Sequence, residues 1–276
     1  MGVGGHSRAV QQEWARVRSG VWARSRRRTW RRPNALEVAG LVGATVAATW
    51  ALAIAVVVPS ASAGPCPDVQ VVFARGTDEP PGVGSTGQAF VDDLRSRVGA
   101  RSLDVYPVNY PATHEWSTGV DGIRDAGAHV VSMAHDCPNT KMVLGGFSQG
   151  AAVMGFVTSA AIPDGVDPAS VPKPLDPEVA NHVSSVVLFG LPNTRAMNFL
   201  GEPQVAIGPL YQAKTIKVCE AEDPVCSDGM NFAAHDTYAG DGATIDTGAA
   251  FAASRIDEGP GVTTTVVAPP RRGFGS

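Results

Sequence analysis

A serine between two glycines is the residue of this sequence best suited to attack a carbonyl carbon. The run Gly146-Phe147-Ser148-Gln149-Gly150 has the pattern G-x-S-x-G, and it stands between a predicted strand and a predicted helix. A serine in that setting sits on a strained turn, clear of the sheet, and the backbone N–H groups of the helix start face developing negative charge. The motif indicates nucleophilic acyl transfer, although a glycine-rich turn without catalytic role would have the same pattern.

The serine needs a base, and the base needs an acid that orients it. With this type of turn the acid follows the serine in the chain, and the histidine follows the acid. Asp223 lies in a loop after the last predicted strand, and His235 comes twelve residues later. The acids that compete with Asp223 are Glu220, Glu222 and Asp228. The histidines that precede the serine or the acid loop are His114, His129, His135 and His182.

The negatively charged oxygen of a tetrahedral intermediate needs backbone N–H donors beside the serine. Gln149 is placed to provide one of them. The loop after the first predicted strand, at Gly76 and Thr77, is placed to provide the second, and the Thr77 hydroxyl could add a further donor. An ordinary turn between a strand and a helix also contains such residues, so the oxyanion hole of Thr77 and Gln149 is an expectation.

Strands and helices alternate along the body of the chain. The predicted strands, which are short and apolar, are 69–74, 103–109, 141–147, 182–189 and 215–218. The predicted helices are 88–98, 119–134, 151–160 and 243–256. This order predicts an α/β fold with a central five-stranded, mainly parallel sheet and helices on both faces.

Two segments between these elements are expected to be irregular. Gly84 to Gly87 is expected to break the chain before the first helix. The loop from Pro163 to Pro177 has no periodicity, and its prolines and few large side chains argue against a lid. We therefore expect an open crevice at the serine.

All four cysteines follow the first 63 residues, which fits an oxidising compartment. Four cysteines allow three pairings. Cys219 and Cys226 are close in sequence, which favours a local bridge and leaves Cys66 and Cys137 for the second. These two precede the first and third predicted strands, which start at the same edge of a parallel sheet. Free buried thiols are the alternative.

The N-terminal segment differs from the body in charge. Residues 1–63 hold nine Arg and two Glu, whereas the rest holds 13 Lys and Arg against 24 Asp and Glu. The apolar stretch 38–58 and the small residues before Gly64 predict a signal peptide over 1–63, or an uncleaved membrane anchor. The arginines at 26–28 also allow a twin-arginine route. The body, 64–258, would then be secreted or held in the cell envelope, and 259–276 is expected to be a disordered tail.

The acidic body argues against nucleic acid as a partner, because neutralising phosphates needs a basic surface. The sequence contains no C-x-x-C metal pattern. We expect a monomer that uses neither a metal nor a cofactor and whose partner is an ester or lipid substrate.

Four motifs in this order resemble the cutinase family, in particular the cutinase-like esterases and lipases exported by actinobacteria. They are Phe73-Ala74-Arg75-Gly76-Thr77, Gly145-Gly146-Phe147-Ser148-Gln149-Gly150, Cys219-x6-Cys226 around Asp223-Pro224, and His235-x-x-Tyr238. The resemblance covers Cys66 to about Ile256. It implies a small α/β-hydrolase with a site open to solvent.

The resemblance also implies roles for single residues. Ser148 would be the nucleophile, His235 the base and Asp223 its orienting acid, with Thr77 and Gln149 as the oxyanion hole. The implied disulfides are Cys66–Cys137 and Cys219–Cys226. The expected activity is hydrolysis of short- to medium-chain acyl esters, lipids or polyesters. The alternatives are a phospholipase, thioesterase or acyltransferase on envelope lipids, and a non-enzymatic surface module.

Overall fold

The structure is a computed structural model that describes residues 65–257. The predicted leader at 1–63, its apolar stretch at 38–58 and the predicted tail at 259–276 lie outside the described residues. Five parallel strands form one sheet in the order β2-β1-β3-β4-β5. The strands are β1 (Val69–Ala74), β2 (Leu103–Pro107), β3 (Lys141–Phe147), β4 (Val183–Phe189) and β5 (Thr215–Val218). This confirms the predicted sheet.

Six helices accompany the sheet within residues 65–257. They are α1 (Gly84–Arg97), α2 (Gly119–Asp136), α3 (Gln149–Val157), α4 (Thr194–Leu200), α5 (Pro209–Gln212) and α6 (Gly242–Asp257). Three short 3₁₀ turns cover Trp116–Thr118, Pro177–His182 and Phe232–Asp236. The sequence did not predict α4, α5 or these turns, because segments of three to seven residues are too short to show a period.

The two faces of the sheet pack against different helices. Every residue of β1 is buried, and successive side chains of a strand point to opposite faces. Val71 and Phe73 belong to the apolar core that includes residues of α1 and α6. Val72 and Ala74 belong to the core that includes residues of α2 and α3. A sheet covered on both faces explains why β1 and β3 are mostly apolar rather than strictly alternating.

The start of α1 corrects the expectation of a break at Gly84 to Gly87. The helix begins at Gly84, and Gly87 is buried within its first turn. A Cβ atom at Gly87 would lie 2.7 Å from the ring of Phe73, so the glycine lets the helix approach β1 closely. Gly84 has φ of +72°, which glycine adopts at little cost.

The cysteines form the two bridges that were predicted. Cys66 bonds Cys137 and Cys219 bonds Cys226, and no free cysteine occurs in residues 65–257. The first bridge joins the segments that enter β1 and β3 at the amino edge of the sheet. The second closes the loop after β5 at the carboxyl edge, where the candidate functional residues lie. No helix between residues 65 and 257 is long and apolar enough to cross a bilayer.

Candidate active site

Ser148 lies on the tight turn between β3 and α3. Its φ is +53° and its ψ is −118°, a strained conformation for a residue with a side chain. The Ser148 N–H donates to the carbonyl oxygen of Phe189 on β4, at 2.9 Å. The residue remains partly exposed. The turn therefore presents the hydroxyl at the carboxyl edge of the sheet and within reach of solvent.

The two glycines of the motif make this turn possible. A Cβ atom at Gly146 would overlap the backbone of Gly150, and one at Gly150 would overlap the carbonyl oxygen of Ala74. Backbone atoms cannot move aside as a flexible side chain can. The first turn of α3 therefore packs directly on β1 and β3, which accounts for both glycines of G-x-S-x-G.

His235 connects the serine to an acid on another loop. It belongs to the 3₁₀ turn Phe232–Asp236. Its Nε2 lies 2.8 Å from Ser148 Oγ, and its Nδ1 lies 2.7 Å from Asp223 Oδ2. The imidazole packs on the Phe147 ring, with 5.0 Å between ring centroids. The structure thus brings together the three residues that the sequence selected as nucleophile, base and acid.

Asp223 is fully buried and held by several donors. Its Oδ1 accepts from the backbone N–H of Val225 at 2.8 Å, and its Oδ2 accepts from the Tyr238 hydroxyl at 2.8 Å. Burial by itself raises the pKa of this carboxyl. The hydrogen bond to His235, the electrostatic interaction with His235 and the bonds from Val225 and Tyr238 lower the pKa and outweigh burial. The pKa of Asp223 therefore lies below its usual value, and the acid is ionised beside the imidazole.

Tyr238 is a site residue to which the sequence assigned no role. It is completely buried, and its hydroxyl accepts from the Glu220 N–H at 3.0 Å while donating to Asp223. The motif His235-x-x-Tyr238 was the available signal, but only the folded chain brings the phenol onto the acid. Burial raises the pKa of Tyr238, so the hydroxyl keeps the proton that it donates.

The competing acids lie elsewhere. Glu220 accepts from the Thr244 hydroxyl, Glu222 is exposed, and Asp228 lies 4.0 Å from Arg195. The other described histidines also have partners away from Ser148. His114 pairs with Asp78, His129 bonds Gln70, His135 pairs with Asp136 and His182 lies near the carbonyl of Pro138. The geometry thus favours Asp223 as the acid and His235 as the base.

The Cys219–Cys226 bridge joins two cysteines that are seven positions apart in sequence, and Asp223 lies between them. Cys226 Sγ lies 3.2 Å from Asp223 Oδ2, and a disulfide sulfur has no proton to donate, so this is a packing contact. The bridge constrains the loop that carries the acid.

Thr77 and Gln149 meet through their side chains. The Thr77 hydroxyl donates to Gln149 Oε1 at 3.4 Å, and Gln149 Nε2 donates to the carbonyl oxygen of Thr113 at 2.9 Å. The hydroxyl expected as a further oxyanion donor is thus directed at Gln149. Because Gln149 is the first residue of α3, its N–H has no partner within the helix. The arrangement joins the loop after β1 to the start of α3.

Arg75 and Glu79 hold the loop that contains Thr77. The buried Arg75 guanidinium donates to the carbonyl oxygens of Glu79 and Tyr110, at 2.8 and 2.7 Å. Glu79 accepts from the N–H groups of Gly76 and Ser85, both at 2.7 Å. Sequence reasoning missed this pair, since a charged residue after a strand gives no sign of burial.

Among residues 65–257, no cluster of His, Cys, Asp and Glu could hold a metal ion.

Comparisons with known proteins indicate the family to which the chain belongs. The family model described as Cutinase matches residues 65–256. The probable carboxylesterase Culp5 of Mycobacterium tuberculosis is 54% identical over 167 residues, 60% of this chain and 95% of the relative. The phospholipase Culp4 of the same organism is 44% identical over 227 residues, 82% of this chain and 95% of the relative.

A solved structure of Trichoderma reesei cutinase, in complex with a phosphonate inhibitor, is 32% identical. Its TM-score is 0.50, and the match covers 70% of this chain and 78% of that one. The sheet, the covered faces and the match over nearly all described residues are those of an α/β-hydrolase. The chain therefore belongs to the cutinase family and is an esterase.

Proposed function

We propose that this chain is an exported serine carboxylic-ester hydrolase in which Ser148 attacks the ester carbonyl. The observation that carries the proposal is the pair of hydrogen bonds from His235, one to Ser148 and one to Asp223. In the tautomer in which Nδ1 donates its proton to Asp223, Nε2 is the nitrogen that accepts the proton of the Ser148 hydroxyl. The substrates would be short- to medium-chain acyl esters or esters of lipids.

In the first half of the reaction, Ser148 Oγ bonds to the carbonyl carbon while its proton passes to His235 Nε2. The ionised Asp223 stabilises the imidazolium that results. The backbone N–H groups of Thr77 and Gln149 stabilise the oxyanion. The Ser148 N–H is already bonded to the carbonyl oxygen of Phe189. The donor to the oxyanion on this side is therefore the N–H of Gln149, the next residue in α3. The tetrahedral intermediate expels the alcohol, which takes the proton from Nε2.

In the second half, water attacks the acyl-enzyme and gives its proton to His235. The carboxylic acid leaves, and Ser148 recovers its proton. All groups used in these steps are side-chain or backbone groups of the chain itself. The same steps hydrolyse any ester whose carbonyl reaches the turn, so the loops around the turn decide the substrate.

A phospholipase activity is a second candidate. The observation that favours it is the 44% identity to the phospholipase Culp4, over 82% of this chain. The chemistry would be identical, with an acyl chain leaving a glycerophospholipid. Release of fatty acid from phosphatidylcholine, measured beside release from a p-nitrophenyl ester, separates the two activities.

Export is supported by the two disulfides, since such bridges persist in oxidising compartments. The basic and apolar leader at 1–63 would direct the chain out of the cytoplasm, and 38–58 could remain as an anchor. We expect the exported body to be a monomer. Amino-terminal sequencing of the exported protein distinguishes cleavage near residue 63 from a retained leader.

Steady-state kinetics on p-nitrophenyl butyrate test the catalytic roles. We expect Ser148→Ala to lower kcat by about 10⁶-fold if the triad acts as a unit. Asp223→Asn should lower it by roughly 10⁴-fold, because the imidazole loses its orienting charge. Glu222→Gln, on the same loop but exposed, is the matched control. A Glu222→Gln variant more damaged than Asp223→Asn would reject the choice of acid.

A further inference from the structure

A long apolar groove lies on the face of the protein that α2 covers. It is bounded by α2 on one side and by residues 159–175 on the other, and α3 contributes Ala152 and Phe156. The groove encloses about 1200 Å³, slightly more than the usual range of about 300–1000 Å³ for small-molecule sites. It is larger than a short acyl group such as acetate or butyrate needs.

The sequence of α2 makes this groove apolar and keeps it open. Val120, Ile123 and Val131 recur at helical spacing along one side of the helix and line it. Gly127 lies among them, and a Cβ atom there would be 3.7 Å from Leu175 of the opposite loop. Val131 is 44% exposed. A continuous apolar surface left open to water is typical of a binding site.

The proline-rich loop gives the groove its second wall. Ile162, Val166 and Leu175, which are among the few large aliphatic side chains of this loop, line the groove. Residues 158–176 contain no helix or strand. The loop predicted from Pro163 is thus irregular, whereas α3 ends at Val157 and not at the predicted residue 160. Leu175 of this loop faces Gly127 of α2, and the prolines stiffen the wall.

One end of the groove lies at the start of α3, beside the candidate active site, although Ser148 and His235 do not themselves line it. Trp116, Ser117 and Gln149 line that end, and Gln149 directly follows Ser148. The other end is lined by Ser132 and Asp136, at the end of α2. A helix of 18 residues is about 27 Å long. Because α2 leads back to the start of β3, the groove runs from the carboxyl edge of the sheet toward its amino edge.

We propose that the groove binds the long acyl chain of an ester whose carbonyl is at Ser148. The proposal rests on the proposed function, and it extends the substrate class to long-chain lipid esters. A single hydrocarbon chain is elongated and apolar, as the groove is, and it needs no polar partner along its length. Of the Lys, Arg, Asp and Glu side chains that line the groove, four are exposed and reach solvent, and one is half-buried. The exposed ones are Arg124, Lys173, Asp136 and Asp164, and the half-buried one is Glu202.

Two substitutions within the groove test the proposal. Val131→Trp adds bulk at an exposed site. Gly127→Leu fills the groove one turn, about 6 Å, nearer to Ser148. The matched control is Leu210→Trp, because Leu210 is 53% exposed and lies outside the groove. Each full-length protein is assayed on p-nitrophenyl butyrate, octanoate and palmitate in one detergent.

We expect both groove variants to lower kcat/KM for palmitate at least about tenfold relative to butyrate. Gly127→Leu should also lower kcat/KM for octanoate, because the leucine blocks the groove nearer to the reacting carbonyl. Val131→Trp should leave kcat/KM for octanoate unchanged. Leu210→Trp should have the chain-length profile of the unsubstituted protein. An unchanged palmitate-to-butyrate ratio in both groove variants overturns the proposal. The proposal is also overturned if the unsubstituted protein is a dimer, Val131→Trp is a monomer, and the chain-length profile is unaltered. A second copy of the chain would then occupy the groove.

The proposed function has a separate readout. If the unsubstituted protein hydrolyses butyrate in a Ser148-dependent manner but the groove variants keep its chain-length profile, only the groove assignment fails. If no ester is hydrolysed, the proposed function fails, and displacement of a fluorescent long-chain fatty acid still reports on the groove. Binding lost in Gly127→Leu but kept in Leu210→Trp would then support an apolar-chain site, and equal binding in both would reject it.

Discussion

Among single residues, Tyr238 links the acid of the candidate triad to the core of the protein. Its ring lies between Phe147 and Phe189, with centroid distances of 5.3 and 6.4 Å. Its hydroxyl donates to Asp223 at 2.8 Å. The phenol is fully buried, and it bonds to Asp223 and Glu220 rather than to Ser148. We therefore regard Tyr238 as a positioning residue that acts through Asp223.

Tyr238→Phe should lower kcat by about 10- to 100-fold, because a hydrogen bond to a charged group contributes about 1.5–3 kcal/mol. KM should be unchanged, since the tyrosine makes no contact in the substrate path. Tyr211→Phe is the matched control, because the buried Tyr211 hydroxyl has no hydrogen-bond partner in the described chain. Equal kcat in the two variants, measured on p-nitrophenyl butyrate, would show that Tyr238 does not position the acid.

The residue scale also shows what a sequence can and cannot reveal about a site. Ser148, Asp223 and His235 could be selected because their order in the chain is characteristic of one chemistry. Tyr238 and Glu79 could not, because their roles depend on contacts that only folding creates. Arg75 is a similar case, since its burial among carbonyl oxygens has no local sequence pattern.

At the scale of elements, the close packing of α3 on β1 and β3 places the nucleophile. Gly150 lies where any side chain would meet the carbonyl oxygens of Ala74 and Arg75. The helix cannot move away from the strand without moving Ser148 with it. The conformation of the nucleophile therefore depends on this helix–strand contact, together with the bond from the Ser148 N–H to Phe189 on β4.

Gly150→Ala should destabilise the protein by about 1–3 kcal/mol, the usual cost of overpacking. The expected fall in Tm, measured by thermal unfolding, is about 2–4 °C for each kcal/mol. Gly127→Ala is the control, because its Cβ would be in ordinary contact with Leu175, at 3.7 Å. That variant should keep or raise Tm, since alanine favours a helix. Equal Tm values for the two variants would contradict the packing described here.

The two disulfides constrain different elements and should have separable effects. Replacing Cys219 and Cys226 by serine removes roughly 2.5 kcal/mol by the chain-entropy estimate, and replacing Cys66 and Cys137 removes roughly 4 kcal/mol. The first pair of substitutions should lower kcat at temperatures where the protein is folded, because the bridge encloses Asp223. The second should lower Tm more and kcat less. Urea unfolding and kinetics on the same samples test this, and an unchanged kcat without Cys219–Cys226 would show that the bridge does not position the acid.

Elements were predictable where a long buried pattern specified them. β1 and β4 are mostly apolar because both faces of the sheet are covered, and α2 shows helical spacing over 18 residues. The start of α1 was wrong because Gly84 and Gly87 were interpreted as a break. Gly87 instead allows close packing on Phe73 of a distant strand, and Gly84 starts the helix with a positive φ beside the Glu79 carboxylate.

At the scale of the whole molecule, the sheet brings distant segments of the chain to one edge. Ser148 and His235 are 87 residues apart in sequence, and their side chains are 2.8 Å apart. The parallel arrangement of the strands could be derived from the alternation of strands and helices, whereas their order in the sheet was not predicted. The groove beside α2 could not, because the irregular loop at 158–176 forms one wall and a loop of this kind has no period to interpret.

Covalent labelling tests most directly whether the assembled site makes Ser148 a nucleophile. A fluorophosphonate probe reacts with a serine only when a base activates the hydroxyl. The folded protein should gain one adduct, and mass spectrometry of its peptides should place that adduct on Ser148. Ser148→Ala should not be labelled, and His235→Ala should be labelled far more slowly. An adduct on a different serine, or no adduct on the folded protein, would contradict the account.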